Sequence, residues 1–136
     1  MSNESSQTRA ASAHAGVPTA EIDRALLHGH LIDITTTGRT SGVQRRIEVT
    51  FHNFDGRIFI SGRPGKRDWY ANLVADPRFI FHLKGPVTAD LPATARPITD
   101  EAERRGWFGQ ILEVWRGMDP EAMVAHSPLV EVIIDR

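Results

Sequence analysis

Cysteine is absent from the 136-residue chain, which removes disulfides, thiolate metal sites and cysteine nucleophiles together. A reducing, cytoplasmic setting is the expectation. Net charge is nearly absent too, since 16 Lys and Arg stand against 17 Asp and Glu. No whole-molecule field therefore draws the protein to nucleic acid, and only a local basic patch remains open. No apolar run approaches the roughly 18 residues that a membrane span needs, and the N-terminus carries no charged region followed by an apolar one. The common catalytic signatures are missing: no His-Glu-x-x-His, no Gly-x-Ser-x-Gly elbow, no Walker loop and no Gly-x-Gly-x-x-Gly fingerprint. His28 and His30 share a strand face, yet no third ligand stands near them, so no metal site is assigned. Asp100, Glu101 and Glu103 read as first-turn helix carboxylates, not as an acid/base pair. Any reaction carried out here therefore calls for a cofactor to supply the chemistry.

What is present is an ordinary globular composition, 40% apolar and 24% charged, on a chain of one-domain length. Residues 1–18, MSNESSQTRAASAHAGVP, are small and polar and read as a disordered leader before a single domain over 19–136. Thr19 can cap a short helix carrying Ile22, Leu26 and Leu27 and ending near Gly29. Leu31–Thr37 is a β-branched strand, and Val43–Phe54 alternates with period two, Val43, Ile47, Val49 and Phe51 sharing one face. Asp55-Gly56 predicts a tight hairpin turn with positive φ into a return strand over Arg57–Ser61. A helix over Arg67–Ala75 stops at Asp76-Pro77, and strands follow at Phe79–Leu83 and from Val87 through Leu91 toward Ile98. The sequence Thr99-Asp100-Glu101 opens a helix with Phe108, Ile111, Leu112 and Trp115 on one face. A short helical turn at Asp119-Pro120 and a closing strand over Val130–Ile134 complete an α+β, mainly β chain. Six strands with hairpin-type spacing favour an antiparallel meander closed into a small barrel, with helices at its ends.

Two loops carry the most suggestive chemistry. Thr37-Gly38-Arg39-Thr40-Ser41-Gly42, followed by Arg45 and Arg46, combines backbone N–H groups, hydroxyls and guanidinium groups in a way that suits a phosphate. A plain hairpin turn with solvated arginines is the alternative. Arg45 shares parity with the apolar residues of its strand and so needs an anion, either a ligand or a carboxylate such as Glu113. The second loop, Ser61-Gly62-Arg63-Pro64-Gly65-Lys66-Arg67, leads into a helix N-terminus, where Lys66 and the backbone can hold another polar edge of a ligand. Trp69 and Leu73, at i and i+4, read as core packing, with ring stacking on a cofactor as the alternative. Asn72 beside them offers an amide to a heterocycle edge. Trp115, with Met118 and Met123, supplies candidate walls for an apolar substrate pocket.

The ordered set Thr35-Thr36-Thr37-Gly38-Arg39-Thr40-Ser41-Gly42, Arg45, Asp55-Gly56 and Trp69-Tyr70-x-Asn72-Leu73-x-x-x-Pro77 resembles the deazaflavin-dependent nitroreductase and quinone reductase family. The resemblance runs from Leu31 to the end of the chain. It implies a six-stranded split β-barrel of the pyridoxamine phosphate oxidase-like, flavin-binding type. It also implies coenzyme F420, a deazaflavin with a phosphodiester and an oligoglutamate tail, as cofactor. By the same resemblance Arg39, Thr40, Ser41, Arg45, Arg46 and Ile47 line the cofactor, as do Trp69 and Asn72, while Ser61, Gly62, Arg63 and Gly65 lie against its ring and phosphate. Lys66 or Arg63 stands in for a lysine of the family's longer loop. Glu48 departs from the family by placing a carboxylate where a proline is usual, and C-terminal tyrosines are missing because Tyr70 is the only one. The implied reaction is hydride transfer from the reduced ring to a quinone, nitro group or activated alkene, within a homodimer. FMN is the nearest rival cofactor, and a non-catalytic lipid or tetrapyrrole carrier is the rival class.

Overall fold

In the computed structural model, which describes residues 16–135, the chain runs α1 (Thr19–Leu26), β1 (Leu31–Thr37), β2 (Gln44–Phe54), β3 (Arg57–Ser61), α2 (Asp68–Ala75), β4 (Arg78–Leu83), β5 (Ala89–Pro97), α3 (Glu101–Val114), α4 (Pro120–His126) and β6 (Leu129–Ile134). The leader expected over 1–18 lies almost wholly outside these residues. Thr19 does not cap α1. Pro18 occupies that position with φ −59° and no side-chain cap, its ring pre-setting the backbone for the first turn. Val17 packs against the barrel core just before it. At the other end of the domain Asp100 caps α3 by accepting from the Glu103 N–H at 2.9 Å, and Asp119 caps α4 through Ala122. No helix among the described residues is long and apolar enough to cross a membrane.

The strands close into a barrel in the order β1-β2-β3-β6-β5-β4, every neighbour antiparallel. This order departs from a simple meander. β1, β2 and β3 follow in sequence, but α2 then carries the chain across to the far side of β1, and β6 returns after α3 and α4 to fill the gap between β3 and β5. Hairpin spacing alone cannot show such a jump. The turn at Asp55-Gly56 is as expected, with φ 54° and 89°.

Inside the barrel large side chains face small ones. β4 sends in Phe79, Phe81 and Leu83, which pair across the sheet with Ala93, Leu91 and Ala89 of β5. This taper lets a narrow barrel fill without voids. Ile32, Ile34, Phe51, Ile58 and Ile60 complete the wall, while Ile22 and Leu26 of α1 and Trp69 and Leu73 of α2 pack against it. β3 is buried on both faces. Ile58 and Ile60 point into the barrel, whereas Phe59 belongs to a second cluster with Ile98, Phe108, Ile111, Met123, Val124 and Leu129.

One seam is short. β2 pairs with β1 over Gln44–Thr50, but with β3 only from Phe51 to Phe54. Its first half has no second strand partner among the described residues, and Val43, Gln44, Arg45 and Arg46 are exposed.

Two titratable groups tie this packing to pH. Glu131 on β6 accepts from Arg57 at 2.8 and 2.9 Å and from Arg96 at 3.1 and 3.0 Å. The Arg57 hydrogen bond, with Arg96 in support, holds its carboxyl below the usual range. Its contribution is therefore present at neutral pH and lost only in acid below that range. His52, opposite Phe59, meets the Trp115 ring edge-on at 4.7 Å and stacks near Phe54 at 5.9 Å. Its Nε2 is buried with no partner among the described residues, and desolvation pushes its pKa from 6.5 to about 4. The unfolded chain binds this proton more readily than the folded one, so stability falls as pH drops through that window. We predict a loss of about 3 kcal/mol between these values, read by urea unfolding across pH. His52→Phe should flatten that slope, and a slope unchanged in the variant would assign the acid lability elsewhere.

Candidate functional site

The first loop is a compact turn held by its own backbone. Gly38 N–H donates to Val43 O at 2.8 Å, Gly42 N–H to Gly38 O at 2.9 Å, and Val43 N–H to the Ser41 hydroxyl at 3.1 Å. Arg39 N–H is bound as well, to Asn72 Oδ1 at 3.1 Å. The anion nest expected from this loop is thus largely consumed inside the protein. What the loop presents is the Arg39 guanidinium, while Thr40 and Ser41 lie exposed beside it.

The second loop is docked against the α4–β6 connection. Ser61 Oγ donates to Pro128 O at 2.7 Å, and Gly65 N–H donates to His126 O at 3.0 Å. Arg67 curls back and donates to Arg63 O and Lys66 O, both at 3.1 Å. Gly65 sits at φ +133°, and a Cβ there would stand 3.0 Å from Arg67 Nη1. A side chain at this position would both strain the backbone and push the guanidinium aside.

The two loops border one cavity of about 760 Å³. Arg39 comes from the first, Gly65, Lys66 and Arg67 from the second; Asp68, Tyr70 and Ala71 of α2 line it, with Thr99, Arg104 and the segment Ala125–Pro128 opposite. Four cationic side chains face one carboxylate, Asp68, whose side chain is 89% exposed and 3.4 Å from Arg39. A cavity of this polarity suits an anionic ligand.

Not every expected residue reaches it. Asn72 was expected to read a heterocycle but is turned inward and buried: its Oδ1 accepts from both the backbone and Nη1 of Arg39, the latter at 2.8 Å, and its Nδ2 donates to Thr36 Oγ1 at 3.4 Å. Trp69 is in the barrel core, the packing reading of its spacing. Ser61 is buried on Pro128, and Gly62 lies against the same proline. Ile47 packs on the main core. Arg46 is held on the outer face by Asp33 at 3.0 Å.

Arg45 stands opposite Thr36 across the β1–β2 register, hence on the barrel-facing side, but at the open seam, where it is exposed. Neither Glu113 nor any other described side chain pairs with it, and the same holds for the Arg63 guanidinium and Lys66 Nζ. Glu48, paired with Asp33 in the register, faces outward and binds Lys84. Its carboxylate therefore opposes no anion in the cavity.

Trp115, Met118 and Met123 are a correction. Met123 is fully buried in the second cluster and the other two pack against it, so they build the α3–α4 core and none of them lines this cavity. The cavity is lined there by Tyr70, Arg104 and Ser127-Pro128. Arg104 was missed. It lies four residues before Phe108 on the stripe that predicts α3, and an arginine there was the signal.

A family model described as F420H(2)-dependent quinone reductase matches residues 7–135. The chain belongs to that family. Its members are oxidoreductases, and solved structures place this member's fold among split β-barrels. A conserved hypothetical protein of Mycobacterium tuberculosis is 18% identical with a TM-score of 0.68, covering 96% of this chain and 87% of its own. An F420-H2 dependent reductase is 24% identical at 0.52, covering 75% and 92%. A FAD-binding protein of Mesorhizobium loti is 12% identical at 0.60, covering 88% and 91%.

In this F420H(2)-dependent quinone reductase family member, the Asn72 hydrogen bonds fix the first loop to α2. Asn72→Ala should cost about 1–3 kcal/mol, because Arg39 N–H and Thr36 lose partners in a buried setting. Amide exchange at Arg39 should accelerate by a comparable factor. Unchanged exchange would show that the loop is held by its own turn alone.

Proposed function

We propose that this protein is an F420-dependent reductase that passes hydride from the reduced deazaflavin to a quinone, nitro compound or activated alkene. The observation that carries the reading is the cationic cavity bordered by both Gly- and Arg-bearing loops, on a chain of this family. The donor set fits the cofactor's charge: Lys66 and Arg39 line the cavity, Arg63 belongs to the same loop as Lys66, and Arg45 stands at the open seam of β2, the side chains of the last two without described partners. Lys66, Arg39 and Arg45 would hold the anionic tail, and the loop from Ser61 to Gly65 would place the ring. When bound, the reduced deazaflavin supplies the hydride. The chain's own part is to orient and to desolvate: Asn72 sets Arg39, Arg67 shapes the loop that carries Lys66, and Ser61 anchors that loop to Pro128.

We propose a cytoplasmic setting, with which the cysteine-free sequence is compatible, and a homodimer in which a second copy covers the free half of β2. Titrating purified protein with F420 and following tryptophan fluorescence tests the cofactor; saturable FMN binding in its place overturns the assignment. Lys66→Ala and Arg45→Ala should each weaken F420 by about 1–3 kcal/mol if they contact its anionic groups. A carrier of neutral lipid would be indifferent to both.

A further inference from the structure

The residue at the cavity wall that neither the sequence pattern nor the cofactor reading assigns is Arg104. Its residue exposure is 9%, and its guanidinium meets carbonyls alone: Nε donates to Val124 O at 2.7 Å, Nη1 to Ile98 O at 2.8 Å, and Nη2 to Ser127 O at 2.6 Å and Met123 O at 3.3 Å. The Phe108 ring lies 5.3 Å beneath it. A guanidinium has five N–H donors. Four are used, and one on Nη1 has no acceptor among the described residues.

These bonds staple α3 to the end of α4 and to Ile98, the residue after β5, which explains the side chain's geometry but not its charge. Burying a cation is costly unless an opposite charge accompanies it. Among the described residues no carboxylate pairs with Arg104. The cavity it lines also holds Arg39, Lys66 and Arg67 against the single carboxylate Asp68, which lies 3.4 Å from Arg39, so positive charge is in excess there.

We infer that Arg104 is a specificity-determining residue whose charge, met by carbonyl dipoles but by no carboxylate among the described residues, makes this cavity select a multiply charged phosphate or carboxylate group, the ligand acting as its counter-ion. The inference deepens the cofactor reading and rests on it only for which anion arrives. Four carbonyls already hold the guanidinium, so it acts chiefly through its charge and its one free N–H. Lys66 and Arg39 make the direct contacts.

Inorganic pyrophosphate is the probe. Calorimetry on the full chain should show it binding and raising the thermal midpoint. Arg104→Lys keeps the charge but cannot span four carbonyls, so it should lower the midpoint while holding pyrophosphate affinity within about threefold. Arg104→Gln, which removes the charge, should lose about tenfold or more. A purely structural staple predicts that affinity falls with stability in both variants, and that result overturns the inference. Should either variant not fold, the wild-type protein still decides: the Arg104 Nε–H resonance must shift on adding pyrophosphate, and a fixed resonance overturns the inference. F420 titration is run separately. Pyrophosphate binding with an Arg104 shift but no F420 binding refutes the cofactor reading alone, whereas F420 binding without either response refutes this inference alone.

Discussion

The amide of Asn72, buried between α2 and the end of β1, accepts from the backbone and the guanidinium of Arg39 and donates to Thr36. Few side chains could do this. The site needs an acceptor for two donors and a donor for a hydroxyl within one planar group, and a carboxylate would offer only the first. With Asn72 in place, α2 lies across one end of the barrel, and the loop after β1 is pinned to the helix that follows β3. The cavity is the space left between that helix and the α4–β6 connection. Its position therefore follows from that buried amide together with Trp69 and Leu73, which seat α2 on the barrel core.

The opposite wall depends on the same economy applied to carbonyls. The last turn of α4 and the residues after it present the carbonyls of Val124 and Ser127 to be satisfied, while Met123 O already accepts from the Ser127 N–H at 3.0 Å. Arg104 donates to all three and to Ile98, the residue after β5. The second hydrophobic cluster, with Phe108, Ile111 and Met123 fully buried, then closes around this staple. Glu131 performs the complementary task on the far side of the sheet, gathering Arg57 and Arg96. Arg57 in turn lies over the Trp107 ring at 4.7 Å. Polar groups thus fix the helices, and apolar groups fill in behind them.

Much of this architecture was legible because it is local. The β-branched run of β1, the Asp55-Gly56 turn and the stripe of α3 each declare themselves within a dozen residues. The barrel order was not legible, since α2 decides which edge β4 joins and nothing in its eight residues records a direction. Asn72 was misread for the same reason: its partners are 33 and 36 residues distant, so its spacing showed polarity beside an apolar stripe but not which way the amide turned. Trp115, Met118 and Met123 looked like pocket lining because apolar residues at helical spacing serve core and cavity alike. Arg45 followed the parity of its strand, but parity does not reveal where a seam opens.

That seam leaves the backbone of β2 from Gln44 to Thr50 with donors and acceptors on one side unclaimed by any described strand. Such a rim invites indiscriminate addition of foreign strands. Arg46 and Glu48 are tied to Asp33 and Lys84 on the outer face, so Arg45 is the charge that an incoming strand meets there. A second copy seated on this rim must therefore place an acceptor or a carboxylate against Arg45, which restricts what can pair there.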